Sequence, residues 1–304
     1  MNSHSPAPRS ITHDNGKSAS GRPVRARRSL LFAPGDREEV HAKALAAGPD
    51  IVCIDLEDAV APTRKAIARD IAVPFLRADP RVERALRINS PRSAEGLRDL
   101  LAVIAARPDA GVIFLPKVAT ADEVRWVDDL LSESGLSLGL GVLIESVEGL
   151  ENVVPILSAS PRIVFAMFGG ADLSAELGVE ISETPLLYAR SRVVHAAKLA
   201  GIDVLDVPSL AFRDEAVVRA DARHAKALGF TGKGVIHPSN VAVVNATFSP
   251  TPDEVAAAER VMEAYRASET GLAVVDGKLV ERPVIRAMER ILALHGIGQT
   301  DEKK

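Results

Sequence analysis

Gly139-Leu140-Gly141-Val142-Leu143-Ile144-Glu145-Ser146-Val147-Glu148-Gly149 decides how the rest of the chain is read. The apolar run up to Ile144 reads as a buried strand, and it ends abruptly in a carboxylate. Alternate residues of a strand share a face, so Gly139, Gly141, Leu143 and Glu145 point the same way. A face of small residues with an acid at its C-terminal tip is an odd way to fill a core. It is a sensible way to set a carboxylate at the mouth of a barrel. A second run, Ile163-Val164-Phe165-Ala166-Met167-Phe168, leads into Gly169-Gly170-Ala171-Asp172 and repeats the pattern of strand, tight glycine turn and carboxylate. Glu145 and Asp172, on successive strand ends, can share one hard divalent cation such as Mg²⁺, with Mn²⁺ as a substitute. Asp172 can also cap the turn that follows it.

Working outward, short apolar runs alternate with longer helical patterns from Arg28 onward. Strands are expected at Ser29–Phe32, Ile51–Asp55, Arg84–Asn89, Val112–Leu115, Leu138–Glu145, Ile163–Phe168, Asp203–Val207 and Lys233–Ile236, each followed by a helix. Asp36 is placed to cap the first helix. Eight strand–helix units point to a parallel (β/α)₈ TIM barrel. A doubly wound open sheet is disfavoured because no Gly-x-Gly-x-x-Gly follows the first strand. After the eighth unit the pattern changes: a helix capped by Thr251, a hairpin turning on Asp276-Gly277, then a last helix from Pro283 to about His295. The expected organisation is a disordered tail over 1–26, a barrel catalytic domain over 27–248 and a C-terminal helix–hairpin–helix extension over 249–304. That extension is too small to stand alone, so it packs on the barrel or on a neighbouring subunit.

Composition narrows the function. The 304 residues carry a net charge of −4 and are 47% hydrophobic. That balance gives no reason to expect nucleic acid or an anionic membrane as a partner. No apolar stretch approaches a membrane span, and the lone Cys53 permits no disulfide framework or thiolate metal site within one chain. A cytoplasmic enzyme or binding protein is expected. The basic, serine-rich tail lacks the amphipathic pattern of a transit peptide.

Barrel enzymes keep their chemistry at the C-terminal ends of the strands. Here those ends carry Asp55-Leu56-Glu57-Asp58, Arg87 and Asn89, Pro116-Lys117, Glu145, Asp172, Asp206 and His237-Pro238, a near-complete polar ring. Arg87 shares a face with Ala85 and Asn89, and a guanidinium fixed at the mouth suits a carboxylate or enolate oxygen. The alternative for Arg87 is a salt bridge to Asp55 or Glu57. Lys43 and Lys117 are positive groups near the expected entrance, where either stays solvated or meets an anionic group, which the resemblance set out next makes a CoA phosphate. His237, ahead of a proline at a helix start, reads as structural, and no phosphate loop or Ser-His-Asp signature is present.

Taken in order, Arg28-Ser29-Leu30-Leu31-Phe32-Ala33-Pro34-Gly35, Asp55-Leu56-Glu57-Asp58-Ala59-Val60, Arg87-Ile88-Asn89, Leu115-Pro116-Lys117-Val118, Ile144-Glu145-Ser146, Gly169 to Asp172 and Ile236-His237-Pro238-Ser239 resemble the citrate lyase beta-subunit-like family, which includes malyl-CoA and citramalyl-CoA lyases. The resemblance covers about residues 27 to 296. It implies Mg²⁺ and Claisen-type cleavage or formation of a 3-hydroxyacyl-CoA thioester, with a 2-oxo acid as co-product. Glu57 and Asp58 match the family's acidic pair, which orients the arginine and the metal's waters. The family also implies a homo-oligomer, a trimer or hexamer, whose C-terminal segment covers a neighbour's site. There the acid–base group is an aspartate just before the last helix; the matching position here is Glu281, one methylene longer. Two rival readings stay open: a true citrate lyase beta subunit acting on carrier-bound citryl groups to release oxaloacetate, and a non-catalytic protein that binds an oxo acid.

Overall fold

A computed structural model describes residues 25–268, 273–275 and 277–302. Asp276, assigned above to the hairpin turn, and the tail up to residue 24 lie outside the described residues.

The strands are β1 (Ser29–Pro34), β2 (Ile51–Asp55), β3 (Glu83–Arg87), β4 (Val112–Leu115), β5 (Gly139–Ile144), β6 (Ile163–Phe168), β7 (Asp203–Asp206) and β8 (Gly232–Val235). They pair in sequence order, all parallel, and β1 closes on β8, giving a (β/α)₈ barrel. The helices around it are α1 (Glu38–Ala46), α2 (Lys65–Ala72), α3 (Ala94–Ala106), α4 (Ala121–Glu133), the short α5 (Val147–Glu151) and α6 (Val153–Leu157), α7 (Gly170–Leu177), α8 (Glu183–Ala200), α9 (Glu215–Leu228) and α10 (Val241–Phe248). Asp36 does not cap α1: its cap position is Arg37, and Asp36 instead takes Arg64 Nε at 2.6 Å.

The glycine face of β5 has a packing explanation. Inside the barrel, Leu30, Ile51, Cys53, Val112, Phe114, Leu143, Phe165, Met167 and Leu205 form a buried cluster. The Phe114 and Phe165 rings sit 5.3 Å apart, centroid to centroid. A Cβ on Gly141 would lie 2.5 Å from Phe165 Cζ and 2.9 Å from Phe114 Cδ2, so only glycine fits opposite two phenyl rings in a close-packed interior. Pairing along β5 and β6 slips once: Leu140 faces Ile163, but Gly141 faces Phe165. The extra residue, Val164, packs with Phe165 against the interior cluster, as expected of a β-bulge. The slip sets Ile144 opposite Phe168, so that Glu145 stands beside Gly169.

At the other end of the barrel, charges stitch the strand starts together. Arg27 binds Glu83 with both fork nitrogens (2.5 and 2.9 Å) and Asp203 at 2.9 Å. Arg28 binds Asp50 through Nε and Nη2, each at 2.8 Å.

Beyond the barrel come α11 (Pro252–Ala267), the antiparallel pair β9 (Ala273–Val275) and β10 (Lys278–Val280), and α12 (Arg282–Glu302). Thr251 and Glu254 close a full capping box at the head of α11. The extension has a small core of its own, Met262, Val280 and Ile285, flanked by Tyr265, Val284, Met288 and Leu292. Among the described residues, no helix is long and apolar enough to cross a membrane.

Candidate active site

The site occupies one sector of the mouth, at the ends of β2 to β6. Asp55 closes β2 and is 2% exposed. Its carboxylate accepts the backbone N–H groups of Glu57 (2.8 Å) and Ala59 (3.0 Å), which fixes the loop carrying Glu57 and Asp58. Lys65 holds the same loop from behind, donating to the carbonyls of Leu56 (2.7 Å) and Glu57 (2.6 Å). Asp55 also receives Arg87 as a two-pronged pair, at 2.8 and 2.6 Å. The guanidinium lies over the Phe32 ring, 5.1 Å from its centroid, and its third nitrogen stands 3.2 Å from Glu57 Oε2. Burial pulls the Arg87 pKa down, but its bonds and attraction to Asp55 outweigh that and leave it above its ordinary value.

Glu57 is buried, and its Oε2 accepts no hydrogen bond, since the approach of Arg87 is an ion-pair contact only. Burial raises its pKa by more than Arg87 and Lys117 lower it. Asp58 is exposed and within 4.0 Å of Arg87 and 3.7 Å of Lys117.

Beyond β4, Lys117 adopts a left-handed backbone, φ +54°. Its N–H donates to Glu145 Oε1 at 2.7 Å and its ammonium to Glu57 Oε1 at 2.6 Å. Glu145, 4% exposed, also meets the Asp172 carboxyl in hydrogen-bonding contact. Burial, then this contact and the charges of Glu57 and Asp172, push Glu145 up to about 9 against the lowering effect of the Lys117 N–H. Asp172 is exposed, in the first turn of α7; the cap position belongs to Gly169. Gly169 must be glycine, because a Cβ there would fall 2.2 Å from Glu145 Cβ.

Two carboxyls pressed together, one nearly sealed from water, ionise together only beside a cation. This donor pair therefore fits a hard divalent ion that keeps most of its own waters. No group of three or more His, Cys, Asp or Glu side chains gathers as a metal cage among the described residues.

The structure thus brings together Glu57, Asp58, Arg87, Lys117, Glu145 and Asp172, and it shows the salt bridge that was one of the two readings of Arg87, made to Asp55. Other members of the expected ring turn away. Asp206 faces outward, where Lys233 (3.0 Å) and Arg190 (2.7 Å) bind it beneath α8. Asn89 anchors its loop on Asp99 Oδ2 (2.7 Å) and the Leu56 carbonyl (3.1 Å). His237 accepts the Ser239 N–H and stacks on Phe212. Lys43 is exposed in the last turn of α1. Glu281 is exposed at the head of α12, its carbonyl taking the N–H groups of Val284 and Ile285. Among the described residues, no hydrogen bond or ion pair joins Glu281 to the mouth. Asp55 was foreseen as a partner of Arg87, but its hold on the loop carrying Glu57 and Asp58 escaped the sequence reading, as did the role of Lys65.

A parallel barrel with carboxylates and a guanidinium converging on its C-terminal mouth is suited to an enzyme that stabilises negative charge on its substrate. The HpcH/HpaI aldolase/citrate lyase family model matches residues 28–238. The chain is 34% identical over 279 residues to the citrate lyase subunit beta-like protein of Deinococcus radiodurans, covering 88% of this chain and 96% of that one. It is 32% identical over 289 residues to the mitochondrial citramalyl-CoA lyase of Mus musculus, covering 88% and 86%. Among solved structures, it is similar to protein CitE from Mycobacterium tuberculosis in complex with magnesium, acetoacetate and coenzyme A, at 32% identity and a TM-score of 0.73, covering 89% of this chain and 98% of that one. The chain belongs to the HpcH/HpaI aldolase/citrate lyase family of carbon–carbon lyases.

Proposed function

We propose that this protein is a Mg²⁺-dependent lyase that cleaves, and in reverse forms, a 3-hydroxyacyl-CoA thioester such as malyl-CoA or citramalyl-CoA. The observation that carries the reading is the contact between Glu145 and Asp172, linked through Lys117 and Glu57 to the Arg87 guanidinium. In cleavage the 3-hydroxyl passes its proton to solvent, the bond between C2 and C3 breaks, and the C3 oxygen becomes the carbonyl of a 2-oxo acid. The released electron pair forms the thioester enolate, which takes a proton to give the acyl-CoA. A divalent ion on Glu145 and Asp172 supplies Lewis-acid polarisation of the oxo-acid carbonyl and a chelating seat for its carboxylate.

The chain's own residues do the rest. Arg87, braced by Asp55 and Phe32, presents a planar donor to the enolate oxygen or to a carboxylate. Glu57 and Asp58 orient Arg87 and the waters of the ion. Glu281 of a neighbouring subunit delivers and removes the proton on the acyl carbon. Meeting a CoA phosphate is the role proposed for Lys43, exposed in the last turn of α1, and for Lys117, which reaches Glu57 with its ammonium.

A homo-oligomer, trimer or hexamer, follows from the same reading. The hairpin carries Val274 at 70% and Leu279 at 53% exposure, apolar side chains that a neighbour would cover. The rim after Asp172 carries Val179, Ile181 and Tyr188, also exposed. The cytoplasm is the proposed compartment.

The test is a panel of 3-hydroxyacyl-CoA thioesters with Mg²⁺, the released 2-oxo acid being identified by mass spectrometry. Metal-dependent turnover of one or more thioesters is expected. Turnover of citryl groups on a carrier protein alone would make the chain a citrate lyase beta subunit. Binding of an oxo acid without any turnover would make it a non-catalytic relative.

A further inference from the structure

Lys117 stands out on two independent counts. Among the described residues only it and Arg107 combine a side chain with a left-handed φ, and Arg107 merely ends α3. That region is costly for a residue with a Cβ; glycine and asparagine are its usual occupants. Secondly, both halves of Lys117 are engaged at the mouth: the main chain holds Glu145 at 2.7 Å and the ammonium holds Glu57 at 2.6 Å. The side chain is 47% exposed. An ion pair open to water adds little stability, so fold stability alone does not account for a lysine in this turn.

We infer that Lys117 is a positioning residue that fixes how many carboxylates reach the divalent ion. The inference rests on the reading that Glu145 and Asp172 hold that ion. Asp55, Glu57, Asp58, Glu145 and Asp172 converge on the mouth, and among the described residues Arg87 and Lys117 are the cations that pair with these carboxylates there. A divalent ion recruits further carboxylates that can reach it. Glu57 is the recruit to hand: its charge is felt by Glu145, and its Oε2 accepts no hydrogen bond. The Lys117 ammonium keeps Glu57 turned to the Arg87 side. Meanwhile the left-handed turn aims the Lys117 N–H at Oε1 of Glu145. Without the ammonium, Glu57 joins the ion, which is then held more tightly and loses a position that the substrate oxygens need.

This predicts opposite signs for metal affinity and for turnover, which a merely structural lysine would not give. Lys117→Met removes the ammonium and keeps the length of the side chain. Mn²⁺ binding, followed by electron paramagnetic resonance without substrate, should tighten by about tenfold, the scale of coupling between adjacent charged groups. Thioester turnover should fall by about tenfold or more. Adding Glu57→Gln should return the Mn²⁺ affinity close to that of the unaltered protein. Lys117→Gly should tighten Mn²⁺ in the same way and, by relieving the turn, melt no lower than Lys117→Met. Unchanged or weaker Mn²⁺ binding in Lys117→Met overturns the inference, as does tightening that survives Glu57→Gln. Glu145→Gln, with Lys117 intact, separates the two failures: if it binds Mn²⁺ as the unaltered protein does, the metal assignment itself is wrong and the inference falls with it.

Discussion

Between pH 6 and 8 the Glu145 carboxyl of the metal-free protein holds a proton, because burial and Asp172 push it up to about 9. Its ordinary value is 4.5, so folding takes up a proton between about 4.5 and 9. For an acid shifted upward, stability is greatest below that window and declines as pH rises through it. A divalent ion must displace this proton, so its affinity should rise by up to about tenfold per pH unit until about pH 9. The increase in melting temperature on adding Mg²⁺ should therefore be larger at pH 8.5 than at pH 6.5; equal increases would uncouple Glu145 from the ion. Glu145→Gln or Asp172→Asn should weaken Mg²⁺ binding and abolish cleavage with the circular dichroism of the barrel unchanged. Arg87→Lys keeps the charge but loses the fork that Asp55 grips. Turnover should drop by about a hundredfold, as for a misplacement of about 1 Å. Melting should show a loss of roughly 1–3 kcal/mol, the cost of an under-satisfied buried group. A stability loss with near-normal turnover would leave Arg87 a structural salt bridge. Glu145, Asp172 and Arg87 were legible because strand alternation and an acid at a strand end are properties of sequence. The turn of Lys117 was not, since a left-handed lysine carries no local signature. Nor did alternation tell that Asp206 belongs to the outward face.

At the scale of elements, the eight strands were readable from apolar runs punctuated by Gly, Pro and Asp. Their ends moved by one or two residues: β3 runs Glu83–Arg87, leaving Asn89 in the loop. The helix expected from Val147 is two short ones, α5 and α6, meeting at Asn152, whose side chain turns to the Ala119 carbonyl. The slip between β5 and β6 was invisible, because Val164 reads as an ordinary strand residue. That slip makes Gly169 the neighbour of Glu145 and gives a sharp test. Gly169→Ala would set a methyl 2.2 Å from Glu145 Cβ, so one of the two backbones must move. Overpacking of this sort costs roughly 1–3 kcal/mol. The site should suffer more than the fold: Mg²⁺ affinity in a calorimetric titration should collapse while most of the melting temperature is kept. Retained affinity would mean that β6 adjusts without moving Glu145.

For the whole molecule, the extension makes its described polar contacts with the barrel at the wrong end for chemistry. Glu254 reaches Lys226 at 3.8 Å, and the charge of Arg290 is felt by Lys198. Both lysines lie in the last turns of helices that lead into the starts of strands. These contacts favour the proposal that Glu281, if it serves catalysis, serves another subunit. Glu281→Ala should lower turnover by about 10²- to 10⁴-fold, the usual contribution of a general acid–base group. Mg²⁺ binding should survive, and Glu281→Asp should stay active. Once mass spectrometry has shown subunit exchange, mixing Glu281→Ala with Arg87→Ala chains should restore part of the activity; no recovery would confine Glu281 to its own chain or to no role. Assembly was the least legible level, because exposed Val274 and Leu279 look like any strand residues until the fold leaves them uncovered.

The small core shared by α11, the hairpin and α12 has a consequence for the protein at low concentration. Met262, Val280 and Ile285 hold the extension together without help from the barrel interior. In the proposed oligomer, subunits could then part without either piece unfolding. Under the shared-site arrangement, dilution should silence the enzyme while its barrel stays folded. Amide hydrogen exchange would register the event as faster labelling along 273–302 alone, reversed on concentrating the sample. Specific activity would then depend on how much protein is in the tube.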